Sequence, residues 1–434
     1  MTAVGSALST LSHSFSPLRE RNFAIYLSGQ MVSLIGSWLQ VTAQSWVVWQ
    51  LTGSEAALGT VTMLQYLPLL LLSPWAGVWT DRLDRRKLLI GTQVTLMALA
   101  FLTAVLVQTN AIQVWQIYVL AIIVGIVNTL DLPAQQAFLG DLVGMGEVRK
   151  AVNLNAMIIQ VSRMLGPAVA GILVARVGMA PSFWLNGLSF VVVIVSLMLV
   201  RANQKRSQGS RESVPKQLKA AWAYLRTEPR LQDMYIFSGM LTFLILSIMF
   251  SLLPAYADHV LSGGADMLGA LMSASGAGAL VSVIFIVPLA QARRHPGKVL
   301  AIALPWSAIW MIVFGLSHSA VLSLFAIFMV SIGNPITFTM ALGLIQLMSP
   351  QDMRGRMLSL NTMVSFGLQP IAALVVGNLA ENLGVGVAVL INSLVMLVGV
   401  VGLFWFRRGL RQWEVNPQTI GTPSEPPPIP AAEV

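Results

Sequence analysis

The chain has 434 residues, 56% of them hydrophobic and only 10% charged, with a mean hydropathy of +0.75. A soluble domain carries about 25% charged residues, so most of this surface faces something other than water. Cysteine is absent and the four histidines (His13, His259, His295, His318) are scattered, which excludes disulfides and any thiolate or paired-histidine metal site.

The net charge of +9 does not point to nucleic acid, because the basic residues sit in short gaps between long apolar runs. The first apolar run is already of spanning length and follows a polar stretch, so no cleavable signal peptide is expected. Taken in chain order, the runs at about 22–50, 56–80, 87–108, 112–140, 150–176, 181–201, 232–258, 265–290, 298–317, 320–348, 356–380 and 385–406 each provide the roughly 20 apolar residues a spanning helix needs. The eighth is rich in Gly and Ser, which still suits a span whose neighbours pack closely. The expected fold is an all-α membrane protein of twelve transmembrane helices in two six-helix halves.

Every second gap is basic. Arg19 and Arg21 precede span 1; Arg82, Arg85, Arg86 and Lys87 follow span 2; Arg149 and Lys150 follow span 4. Arg201 to Arg230 carry eight basic residues after span 6, and Arg293, Arg294 and Lys298 follow span 8. Arg354 and Arg356 follow span 10; Arg407, Arg408 and Arg411 close span 12. On the other side only Arg176 appears. Cationic loops stay inside, so both termini are expected in the cytoplasm. The expected organisation is a tail (1–18), a first half (19–201), a linker (202–231), a second half (232–406) and a disordered Pro-rich tail (407–434). Within the linker, Leu218, Trp222 and Leu225 share one helical face, as in an amphipathic helix lying on a leaflet.

The halves resemble each other. Pro133 … Asn153-Leu-Asn155-Ala-Met157 … Gly166-Pro167 is echoed by Pro335 … Ser359-Leu-Asn361-Thr-Met363 … Gln369-Pro370, roughly half a chain later. Such repeats are a transporter signature, since one half can rock against the other.

At about 100° per residue, Gln30, Ser33, Ser37, Gln40 and Gln44 fall on one side of span 1. A polar stripe this long avoids lipid. It lines a water-filled path, or else it is interhelical hydrogen-bond glue. Trp46 and Trp49 point elsewhere and read as interfacial belt residues. In span 7, Tyr235, Ser238, Thr242, Met249 and Tyr256 share a face. Asn128, Asp131 and Gln135 (span 4), Asn153, Gln160 and Arg163 (span 5) and Thr362, Ser365 and Gln369 (span 11) add further polar candidates for the cavity wall. Mostly uncharged walls with Met and aromatics suit an amphipathic solute. Asp131 and Arg163 are ionisable residues deep in the hydrocarbon, where each alone costs at least about 2.5 kcal/mol. They are expected to face each other. Either they form a structural ion pair, or Asp131 takes up and releases a proton during a transport cycle. Gly166-Pro167 and Gly171 predict a weakened backbone ladder or kink in span 5, or simple close packing. Asp258 and His259 read as solvated loop residues.

Gly77-Val-Trp-Thr-Asp81-Arg82-Leu-Asp84-Arg85-Arg86 resembles the loop 2–3 signature of the major facilitator superfamily, with Asp84 in place of the second glycine. The resemblance implies a cytoplasmic gate latch of Gly77, Asp81, Arg82, Arg85 and Arg86, with Asp141 as partner. Otherwise the basic cluster simply anchors the helix by charge. Ser162-Arg163-Met-Leu-Gly166-Pro167-Ala-Val-Ala-Gly171 looks like the helix 5 motif of the antiporter branch. Asp131-Leu-Pro133-Ala-Gln-Gln-Ala-Phe138 and Asp141-Leu-Val143 resemble the branch of enterobactin exporters and macrolide-efflux-type proteins. The resemblance implies export of a drug-like or siderophore-like molecule by proton antiport, in a bacterial inner membrane. Import or lipid flipping on the same fold is the alternative, and a non-transporting scaffold a more remote one. No phosphate-binding Gly-x-x-x-x-Gly-Lys-Ser/Thr loop, His-Glu-x-x-His site or nucleophile elbow is present, so neither ATP hydrolysis nor an enzyme is expected. The expected partners are the bilayer, a small-molecule solute and protons. No nucleic acid, cofactor or metal is expected, and the chain should act as a monomer.

Overall fold

A computed structural model describes residues 16–144, 146–200, 214–293, 295–350 and 353–407. Most of the expected tails and the 202–213 part of the linker lie outside these residues. The side chains of Asp81, Arg82, Arg149 and Leu218, and Gly77, also fall outside the description.

The helix starts follow local chemistry. Ser54 accepts from the Ala57 amide at 3.1 Å and starts α2 (Glu55–Arg82); Asp84 accepts from the Lys87 amide at 3.1 Å and starts α3 (Arg85–Gln108). Asp84 sits in extended backbone at φ −68. The position therefore does not require glycine, and Asp84 serves there as the helix cap. α1 (Arg21–Thr52) ends on Gly53 in the left-handed region at φ 57.

The remaining long helices are α4 (Val114–Leu142), α5 (Val148–Arg176), α6 (Ala180–Leu199), α7 (Pro229–Ser251, prolonged to Val260), α8 (Ala265–Gln291), α9 (Pro296–Leu316), α10 (Ala320–Met348), α11 (Arg354–Leu383) and α12 (Val385–Phe406). Eleven are long and apolar enough to cross a bilayer; α1 has the length, at 32 residues, but its polar stripe lowers its apolarity. Large apolar side chains such as Ile302, Val321 and Val398 point outward from the bundle, an exposure that suits lipid and not water.

α5 and α4 run through Pro167 and Pro133 as continuous helices. α7 is less regular. π-helical turns at Leu241–Leu246 and Tyr256–Val260 widen it, and another at Ser282–Ile286 widens α8. The short helix Val214–Thr227 buries Ala221 and Leu225 and reaches Met348 O through the Tyr224 hydroxyl (3.4 Å). The single leaflet-facing stripe expected there is thus divided: Leu225 packs on the second helix set and Trp222 stays exposed under Arg226.

α1–α6 pack among themselves, and α7–α12 do likewise. The sets meet along α5 against α8 and α2 against α11, and the contact is unevenly placed. Call the end with the basic loops the basic end. Away from it, backbones touch. A Cβ on Gly59 would lie 2.4 Å from Ala373 O, one on Gly269 2.5 Å from Pro167 O, and one on Gly171 3.0 Å from Ala265 O. Only small residues allow such approach. Toward the basic end, α11 runs with much less of α2, and the inner part of α8 packs on α10 instead. Contact between the sets is thus close at one end, the sealed end, and sparser toward the other.

Candidate functional site

Four clusters occupy the meeting surface and its flanks. At the basic end, Arg85 makes a two-pronged ion pair with Asp141 (Nη1 to Oδ1 3.0 Å, to Oδ2 2.9 Å), with both side chains about nine-tenths buried. The neighbouring Arg86 donates to Leu197 O at 2.7 Å and Met198 O at 2.5 Å, tying α3 to the end of α6. In the second set, Arg407 and Asp233 approach to 3.6 Å, joining α12 to α7. Both ion pairs lie within one helix set.

Midway along the first set, Asp131 is buried and accepts three hydrogen bonds. They come from Thr92 Oγ1 (2.5 Å), Gln93 Nε2 (3.1 Å) and Gln135 Nε2 (2.5 Å); Gln30 Nε2 in turn donates to Gln135 Oε1 at 3.0 Å. Among the described residues no cation pairs with it. Arg163 is not its partner, contrary to the sequence-based expectation. The two lie on adjoining helices but project from different sides of them. Arg163 turns to the other set, where its Nη2 donates to Ser275 Oγ at 3.0 Å, and Ser331 Oγ donates to the same oxygen at 2.9 Å. Its guanidinium carbon lies 5.5 Å from the Trp38 ring centre and 5.6 Å from that of Phe250. Trp38 and Phe250 are near-parallel at 6.3 Å, and Tyr66 reaches Phe250 at 6.5 Å.

The fourth cluster latches the sealed end. Ser54 Oγ and the Ala56 amide both donate to Glu381 Oε2, at 2.9 and 3.1 Å, placing an α11 carboxylate on the N-terminus of α2. His259 Nδ1 is 3.3 Å from Glu55 Oε1, and Trp49 Nε1 donates to Asp258 Oδ2 at 2.9 Å with its ring edge-on to His259. Trp46 and Trp49 are therefore buried in the sealed interface instead of forming a lipid belt, and Asp258 and His259 are engaged there though exposed. On this end's surface a cleft of about 410 Å³, lined by Trp46, Gln50, Met179 and Asp266 among others, lies apart from Arg163.

The expected cavity wall divides. Gln30 serves the Asp131 network, and Gln40 accepts from Asn186 Nδ2 of α6 at 2.7 Å. These two act as glue within the first set, while Ser37 and Gln44 are half-buried. On α7 the Tyr235 and Thr242 hydroxyls donate to Met357 O (2.7 Å) and Ser365 O (2.9 Å), and Tyr256 donates to Phe314 O and Ser317 O. Ser238 is buried beside them. That face ties α7 to α11 and to the end of α9. Asn128 is half-buried and Thr362 exposed with its hydroxyl on Leu358 O (3.1 Å). Gln160 Oε1 and Gln369 Nε2 are buried without a hydrogen-bond partner among the described residues, the unsatisfied groups expected beside a polar path. Gly166 packs against Trp38 Cβ and Ile35 O of α1, and Gly171 against α8, so the motif glycines are contact points on two different surfaces.

Residues 12–432 match the transmembrane secretion effector family. The chain belongs to that family, within the major facilitator superfamily. It is similar to a staphyloferrin A transporter of Staphylococcus aureus, 26% identical over 60% of this chain and 66% of that one. It is also similar to the enterobactin exporter EntS of Shigella boydii, 25% identical over 76% and 80%, and to macrolide efflux protein A of Streptococcus pyogenes, 26% identical over 40% and 43%. The match thus spans just under two thirds of the staphyloferrin A transporter's length. The family and these relatives are transporters, not enzymes. The fold is shared with a D-xylose-proton symporter (TM-score 0.72, 13% identity, covering 93% of this chain and 99% of that one). It is also shared with a nucleoside transporter (TM-score 0.68, 14% identity, 89% and 99%).

The latch gives a test of the transport cycle in a family member that has no cysteine of its own. Cysteines at Ser54 and Glu381, joined by a short reducible thiol cross-linker, are expected to stop transport, and reductant to restore it. Cross-linked protein that transports at the uncross-linked rate would show that this seal does not open.

Proposed function

We propose that this chain exports an amphipathic small molecule across a bacterial inner membrane by proton antiport, through alternating access of two six-helix halves, 19–201 and 232–406. At the sealed end Arg176 is the lone Lys or Arg, whereas the basic end carries many, which supports twelve spans with both termini in the cytoplasm. In that orientation the bundle opens to the cell interior. Rocking one half against the other would undo the Gly59–Ala373 and Gly171–Gly269 contacts and the Glu381 latch, and close the basic end instead.

The observation that carries the coupling is Asp131, a buried carboxylate fed by neutral donors and lacking a cation. A carboxylate so placed gains by accepting a proton when its surroundings lose polarity and by releasing it when water returns. Thr92 and the two glutamines hold it oriented in either state. Export itself rests on the relatives named for efflux and on the shared helix 5 motif. The chain works as a monomer in this reading, with the bilayer, the solute and protons as its partners.

The test is a susceptibility and accumulation screen in an efflux-deficient bacterial host, followed by uptake into inside-out vesicles under an imposed proton gradient. Solute uptake that collapses with an uncoupler is the expected result; uptake indifferent to the gradient would remove the antiport reading. For the inner gate, with Gly77, Asp81, Arg82, Arg85, Arg86 and Asp141 as its parts, Asp81→Asn is expected to reduce turnover more than membrane insertion, with unchanged topology. A variant that inserts and transports normally would return the loop to an orientation signal.

A further inference from the structure

The centre of the molecule holds a cation without a counter-ion. Among the described residues no carboxylate lies within ion-pair distance of Arg163, and Asp131 is committed elsewhere. A charge at this depth is costly unless something compensates it. The two rings and the Ser275 hydroxyl do part of this. Trp38 and Phe250 present their faces at 5.5 and 5.6 Å, which stabilises a guanidinium. Yet the group has five N–H donors in one plane, and one bond to Ser275 leaves most of them for another acceptor. Such a fork matches the two oxygens of a carboxylate or sulfonate.

The surroundings add shape. Arg163, Trp38, Tyr66 and Phe250 are all half-buried, and they come from α5, α1, α2 and α7, so both helix sets contribute. They stand between the glycine-sealed end and the more sparsely packed basic end. Three aromatic rings beside a planar cation favour a flat apolar body carrying an acidic group. A cationic solute would meet Arg163 as a like charge.

We propose that the solute carried is an organic anion with a flat apolar body, its acidic group seated on the Arg163 guanidinium and its body among Trp38, Tyr66 and Phe250. This rests on reading the chain as a transporter. It narrows the expectation from uncharged walls, because Arg163 is freed from the ion pair that would have silenced it. Trp38, Tyr66 and Phe250 become specificity-determining side chains, and Ser275 a positioning residue.

Equilibrium dialysis on the purified full chain, without any gradient, tests this with three probes of one shape: 2-naphthoate, neutral 2-naphthamide and 2-naphthylmethylammonium. The wild type is expected to bind the anion at least about tenfold more tightly than the amide, as a charge-assisted pair would give, and to bind the cation least. Arg163→Gln should erase the preference between anion and amide, and Arg163→Lys should recover only part of it. Trp38→Leu, which leaves the charge in place, should weaken anion and amide alike and keep their ratio. Equal wild-type binding of anion and amide, tighter binding of the cation, or an undiminished preference in Arg163→Gln would each overturn the proposal. The wild-type comparison decides even if the Arg163 variants fail to fold. Since no transport is measured, a failure of proton coupling or of export would leave these affinities untouched.

Discussion

Asp131→Asn is expected to lower uphill, proton-driven export by more than about tenfold, the effect of roughly 1.4 kcal/mol, while solute exchange without a gradient continues. Asn keeps the shape and can still accept from Thr92 Oγ1 and Gln93 Nε2, now at 2.5 and 3.1 Å from the carboxylate. It cannot carry a proton through the cycle. Gln135 Nε2, which donates to the other carboxylate oxygen, has to turn its amide so that its oxygen accepts from the introduced side-chain amide, and Gln30 has to turn with it. With the network so reversed the buried groups stay hydrogen-bonded and the fold should lose little. The discriminating measurement is paired: gradient-driven uptake into inside-out vesicles, and counterflow in the same vesicles with the gradient dissipated. Loss of both would assign Asp131 a structural role, and loss of neither would separate it from the cycle. Asp131→Leu, which leaves Thr92, Gln93 and Gln135 facing a hydrocarbon, is expected to damage folding as well.

Asp141→Ala is expected to destabilise the first helix set by about 3–5 kcal/mol, the usual cost of breaking a buried ion pair from one side. Arg85 and Asp141 are about nine-tenths buried and bonded through both carboxylate oxygens. Removing the carboxylate takes away the acceptor of two of the guanidinium's charge-assisted hydrogen bonds in a buried site. Thermal unfolding of the purified protein in detergent, followed by intrinsic fluorescence, reads the loss. Replacing the pair together, as Arg85→Met with Asp141→Leu, should regain much of the stability, because an apolar pair has no charge to desolvate. If transport stays low in the stable double variant, the pair also serves the gate. If it returns with stability, the pair is a fold element alone.

Apolar length made the long helices legible, and charge alternation made their grouping legible. The Arg85–Asp141 contact was legible only through the family resemblance, which implies a loop 2–3 latch with Asp141 as its partner. What failed did so for physical reasons. Periodicity says which face a residue occupies but not which neighbour that face meets, so Asp131 and Arg163 could be placed deep yet wrongly paired. On α7 the period itself changes. A π-helical turn accommodates one extra residue, and each residue turns the helix by about 100°. Faces drawn from Tyr235 onward therefore miss Phe250, which belongs with Trp38. The sealed-end latch left no local trace at all. Ser54 and Glu381 are 327 positions apart, and each alone looks like an ordinary polar residue near a helix end.

The uneven closure of the bundle also has an electrical side. In the proposed inward-open arrangement, water between the helix sets would carry the cytoplasmic potential inward, and the membrane voltage would drop mainly across the thin glycine-packed layer. In the proposed cycle closure passes to the basic end and the drop passes with it, so that Arg163 would change from one side of the field to the other while scarcely moving. One charge transferred this way is worth about 2.3 kcal/mol per 100 mV. With Asp131 ionised the two charges cancel, and the outward turn is electrically silent. With Asp131 protonated the positive charge stands alone, and a negative interior pulls the return stroke inward. Voltage would then drive the step that brings the proton in, and the rate of export of even a neutral solute would rise with membrane potential.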